Sequence, residues 1–172
     1  MKDFFKKKDT MMIILVIEIL IVLLVLVLIF APPTGGKEIE YKNIKMQIPF
    51  EVADRYSRHY GGAVSETFYS KQFNPNYPSR VIKSVYIKCT NSGKDEFNEQ
   101  REFYKDRNSS LNRAFGDLNI SSASSFYAYK NKNPETYTAF IYSDDKGLMW
   151  EFEFTDMSET EVVKSLNSVV VQ

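Results

Sequence analysis

Leu148-Met149-Trp150-Glu151-Phe152-Glu153-Phe154 divides its side chains into two alternating sets. A strand sends successive residues to opposite faces, so Leu148, Trp150, Phe152 and Phe154 line one face and Met149, Glu151 and Glu153 the other. The apolar set belongs at the centre of a core, with Trp150, the only tryptophan, as its keystone. Immediately upstream, Asp144-Asp145-Lys146-Gly147 is turn chemistry, preceded by a strand over Tyr137 to Ser143. A second turn, Asn131-Lys132-Asn133-Pro134, separates that strand from another over Ser122 to Lys130, giving antiparallel hairpins. Downstream, Ser158 and Glu161 form a capping box ahead of Val162, Val163, Leu166, Val169 and Val170, the apolar stripe of a short terminal helix.

Before these hairpins, Lys94 to Phe115 has helical periodicity. Phe97, Tyr104, Leu111 and Phe115 share one side with Phe103 and Ala114 beside them, and Gly116 is the expected stop. The first half reads as about three strands. Ile39 to Ile48 alternates and is stopped by Pro49; Ala63 to Lys71 and Arg80 to Thr90 follow, and Phe50 to Tyr60 reads as a helical turn or two. The resulting expectation is an α+β domain, an antiparallel sheet covered by two helices. Tyr41-Lys42-Asn43-Ile44-Lys45-Met46-Gln47-Ile48-Pro49 at the start, and Trp150-Glu151-Phe152-Glu153-Phe154 with the helix through Leu166 and Val169 at the end, resemble small extracytoplasmic PsbP-like domains. That resemblance implies an accessory or binding role and transfers no functional residue.

Met11 to Phe30 sets the expected location. Seventeen of its twenty residues are Leu, Ile, Val or Phe, and Glu18 is its single charge. At about 1.5 Å per residue a helix of this length matches the roughly 30 Å of a bilayer's hydrocarbon core. Lys2, Lys6, Lys7 and Lys8 precede it and the next basic residue is Lys37, so the N-terminus is expected in the cytoplasm. The expected layout is a cytoplasmic basic tail (1–10), an uncleaved signal-anchor transmembrane helix (11–31), a linker rich in Pro and Gly (32–38) and an extracytoplasmic domain (39–172). This is a single-pass cell-membrane protein. Lys, Asn, Ile, Tyr and Phe abundance is that of an AT-rich bacterial genome. An acid within an apolar span calls for a polar partner, so Glu18 is the candidate contact to an integral-membrane subunit.

Residues 32–172 carry 18 Lys plus Arg against 19 Asp plus Glu, interspersed, which argues against nucleic-acid binding. Cys89 is the only cysteine, so no internal disulfide forms, and its alternation with Val85 and Ile87 reads as a buried structural thiol. His59 is the only histidine, which excludes His-rich metal sites. Glu151 and Glu153 stand about 6–7 Å apart on one strand face, a spacing compatible with paired-carboxylate chemistry. Any alternating strand produces the same spacing, and a solvated face paired with Lys or Arg across the sheet is the simpler reading. No phosphate loop, nucleophile elbow or cation loop occurs, and no catalytic, cofactor or metal residue is assigned.

Aromatic and cationic residues of the first half make the better binding case: Arg55, His59, Tyr60, Tyr77 and Arg80 form a candidate recognition surface. The expected function is a non-catalytic, membrane-anchored binding or accessory subunit of a membrane or cell-envelope complex. Its expected partners are the bilayer, an integral-membrane protein and an envelope component. A surface-anchored hydrolase and a structural envelope protein are the alternatives.

Overall fold

The computed structural model describes residues 15–23, 36–60, 63–71, 82–121 and 123–172. The chain divides into two units, Met1–Ala31 and Pro32–Gln172.

In the first unit residues 15–23 form a helix, α1, whose side chains are all exposed. Among the described residues no helix is long and apolar enough to cross a membrane. The expected transmembrane, signal-anchored, single-pass topology, with a cytoplasmic N-terminus and an extracytoplasmic domain, is therefore corrected. Residues 1–10 of the expected tail, and 11–14 and 24–31 of the expected span, lie outside the described residues.

The second unit is predominantly β. Its order is β1 (Lys37–Tyr41), β2 (Ile44–Ile48), β3 (Asp54–Tyr60), β4 (Ala63–Tyr69), β5 (Ser84–Thr90), α2 (Lys94–Leu111), β6 (Phe115–Asp117), β7 (Ser124–Asn131), β8 (Thr136–Ser143), β9 (Leu148–Thr155), α3 (Glu159–Asn167) and β10 (Val170–Val171). The expected α+β architecture, one sheet under two helices, is corrected to two antiparallel sheets, β1-β2-β10 and β3-β4-β5-β9-β8-β7-β6.

Two local readings account for the difference. Ile39 to Ile48 is a hairpin rather than one strand, because Lys42 and Asn43 both take positive φ (43° and 64°) and reverse the chain in two residues. Paired left-handed residues give a tight turn whose twist matches the strands. Residues 54–60, expected as helical turns, form the edge strand β3 on β4.

The small sheet and α3 cover one face of the large sheet in a single core. Ile44, Met46 and Ile48 of β2 meet Val85 and Ile87 of β5, Ile141 of β8, and Val162 and Leu166 of α3. The β9 residues Trp150, Phe152 and Phe154 are fully buried in this core, and burying aromatic side chains supplies much of a domain's stabilisation. Trp150 Nε1 also donates to the Lys42 carbonyl at 2.9 Å, tying the central strand to the β1–β2 turn. The expected capping box is present: Glu161 N–H donates to Ser158 Oγ and Ser158 N–H to Glu161 Oε2.

On the opposite face α2 packs over β6, β7 and β8, burying Phe97 and Tyr104 against Phe126, Phe140, Tyr142 and Met149. Phe103 and Leu111, expected on the apolar side, are exposed at 59% and 55%. The helix ends at Asn112 in the left-handed conformation, four residues before the expected stop. Gly116 serves a different purpose in β6. A Cβ there would lie 2.6 Å from the Tyr127 ring, so the position keeps β6 and β7 in close approach.

Candidate functional site

Because α2 stops over β6–β8, no described residue covers the same face of β3, β4, β5 and β9. Strand register arranges it in rows running across the sheet. Tyr56, Thr67, Tyr86 and Glu153 form one row; Arg58, Ser65, Lys88 and Glu151 form the next; Tyr69, Ser84 and Thr155 lie on the other side of the first. Each residue projects here because it alternates with a core residue, Val85 and Ile87 in β5 and Phe152 and Phe154 in β9. The floor is an open concavity of about 500 Å³ lined by Thr67, Tyr69, Ser84, Tyr86, Lys88, Glu151, Glu153 and Thr155.

The two carboxylates of this face are each paired with a lysine. Lys88 Nζ lies 3.5 Å from Glu151 Oε2, its direct cross-strand neighbour, and Lys130 forms an ion pair with Glu153. Burial acts to lower the Lys130 pKa, but the hydrogen bond to Glu153 and that carboxylate's charge outweigh it and leave the ammonium above its ordinary value. Glu151 and Glu153 thus sit in the arrangement the simpler sequence reading expects, each with a lysine from another strand. At the β3 edge the Arg58 guanidinium stacks 5.2 Å from the centre of the Tyr56 ring, which is 46% exposed.

Of the residues proposed from sequence as a recognition surface, Arg55 and His59 lie off this face. Arg55 lies on the opposite side of β3, where it holds Glu66. Its Nη2 donates to Glu66 Oε2 at 2.7 Å, its Nε donates to Oε1, and Ser57 Oγ donates to Oε1 at 3.0 Å. Glu66 is 5% exposed, and the guanidinium compensates its buried charge; the hydrogen bond in turn raises the Arg55 pKa. His59 is exposed on the same side of β3 as Arg55, and Tyr60 ends the strand. Tyr77 and Arg80 lie outside the described residues, and Glu18 is exposed on α1.

Cys89 packs against the main core, and burial pushes its thiol pKa up, against the opposing charge of Lys42. A thiol held protonated in this way is a poor nucleophile. Among the described residues no group of three or more His, Cys, Asp and Glu is placed to hold a metal ion. Sequence reasoning identified the two glutamates of the open face and missed Thr67, Tyr86 and Lys88. The alternation of Ser84, Tyr86 and Lys88 with Val85 and Ile87 carried the signal; strand adjacency was needed to join them to Glu151 and Glu153.

No protein-family model matches this chain, and no curated protein or solved structure matches it either.

Proposed function

We propose that this chain is a non-catalytic binding or accessory protein that holds a polar, near-neutral partner on the open face of β4, β5 and β9. The observation that carries this reading is the composition of that face. Hydroxyls from Thr67, Ser84 and Thr155 and the ring of Tyr86 surround two ion pairs that already satisfy each other. A tyrosine beside hydroxyls offers contact area with a polar tip, the chemistry of recognition surfaces. Self-neutralised carboxylates are poorly suited to proton transfer, because each is held by its own lysine.

A photo-cross-linking aromatic residue tests the reading. Placed at position 86 of the full chain in its native host, it should trap a partner as a covalent adduct. The same residue at position 103, exposed on the outer side of α2, should trap none. Adducts at 103 with none at 86 would overturn the proposal.

A further inference from the structure

We infer that the chain pairs with a second copy of itself through the free edge of β3, joining two seven-stranded sheets into one antiparallel sheet about a twofold axis. The inference is independent of the open face and its partner.

The two edges of the large sheet are treated very differently. At the β6 edge the strand has only three residues and lies under α2. Arg101 from α2 also grips Asp117 there with two hydrogen bonds of 2.9 and 2.8 Å. At the other edge β3 runs for seven residues, and among the described residues it pairs with β4 alone. It contains no proline, lysine or register shift, three of the devices that keep an edge from pairing, and of its charges Arg55 is held by Glu66 and Arg58 lies over the Tyr56 ring. Residues 55–59 are all exposed.

Register identifies which backbone groups face outward. Ser70 N–H donates to the Lys83 carbonyl at 2.9 Å, so the even residues of β4 bond toward β5 and the odd ones, Ala63 to Tyr69, toward their β3 partners Tyr60, Arg58, Tyr56 and Asp54. Alternation then turns the N–H and C=O of Tyr60, Arg58 and Tyr56 toward β4 and those of Arg55, Ser57 and His59 toward the free edge. A twofold axis at Ser57 would bond the outward groups of Arg55, whose N–H turns from its 2.8 Å bond to Asp54 Oδ1, to those of His59 in the second copy, and Ser57 to Ser57.

The side chains suit this register. With the axis at Ser57, Tyr56 lies opposite Arg58 of the second copy on the open face, repeating between copies the guanidinium-on-ring contact already made within one chain. On the other face Arg55, its charge compensated by Glu66, lies opposite His59. Every off-axis pair joins unlike residues, and no two uncompensated like charges stand directly opposite. A self-complementary strand of this kind makes a closed, isologous contact.

The test uses the full chain in a mild detergent that covers the exposed apolar residues of α1. Sedimentation should give twice the mass of one chain, and Ser57→Pro should return it to the mass of one. The proline removes the outward N–H at the axis and leaves the bonds to β4 in place, while Ser57→Ala should remain a dimer. Cross-linking gives a second reading that holds even if the proline variant fails to fold. Across an antiparallel hydrogen-bonded pair the Cα atoms stand about 5.5 Å apart, within disulfide range. In a Cys89→Ala background, Ser57→Cys should therefore oxidise to a linked dimer and Arg58→Cys should not. A monomeric wild type, a dimer that survives Ser57→Pro, or equal cross-linking at 57 and 58 would each overturn the inference.

Discussion

Trp150, fully buried on β9, donates its indole hydrogen to the carbonyl of Lys42 at 2.9 Å, across 108 positions of sequence. This one contact joins the centre of the large sheet to the turn of the small one. Trp150→Phe removes the donor, strands a carbonyl and leaves a cavity, so unfolding stability should fall by about 3 kcal/mol. Urea denaturation followed by circular dichroism measures it. A loss well below 1 kcal/mol would show that the hairpin is held by other contacts.

Glu66 is buried and depends on Arg55 and Ser57 for compensation. Arg55→Ala should cost about 2 kcal/mol, less than for a fully enclosed pair because the arginine side chain is 55% exposed. Combining it with Glu66→Gln should recover most of the loss. A double-mutant cycle showing simple additivity would refute the coupling.

Asn108 on α2 is completely buried, and neither polar atom of its side chain meets a hydrogen-bond partner among the described residues. Replacing it with leucine removes that desolvation cost at similar volume, and Asn108→Leu should raise stability by about 1 kcal/mol. A lowered melting temperature would instead indicate that the amide is satisfied in solution.

Glu161 caps α3 and accepts a 2.8 Å hydrogen bond from Lys83. Burial acts to raise its pKa, but Lys83 and the two hydrogen bonds from Ser158 outweigh it and hold the carboxylate below 4.5, its ordinary value. A group depressed in the folded state contributes stability above its unfolded pKa and loses that contribution as pH falls through the folded value. Stability should therefore decline as pH drops below 4.5, and Glu161→Gln should flatten that part of the profile. Parallel profiles for the two proteins would rule out Glu161 as the titrating group.

Much of the β-domain was legible one segment at a time. The strands of β7, β8 and β9, the amphipathic α3 and its cap follow from alternation, turn residues and the Ser158–Glu161 spacing, all of which act over a few residues. Two readings failed for a shared reason. Lys42-Asn43 lacks the glycine that marks a tight hairpin turn, and Asp54 to Tyr60 lacks an apolar face because an edge strand needs none. The helical periodicity of Lys94 to Phe115 was real, yet Phe103 and Leu111 stayed exposed because α2 meets the sheet along a narrower stripe.

By itself the sequence determined which residues share a strand face. Trp150 is apolar and Glu151 polar, and a period of two separates them wherever the strand lies. Tertiary structure alone decided which strands stand side by side, and so placed Lys88 against Glu151, Lys130 against Glu153 and Arg55 against Glu66. Strand pairing joins residues far apart in the chain through backbone bonds that any side chain can make, so local pattern does not specify it. The face of β4, β5 and β9 and the edge position of β3 exist, among the described residues, only once that order is set.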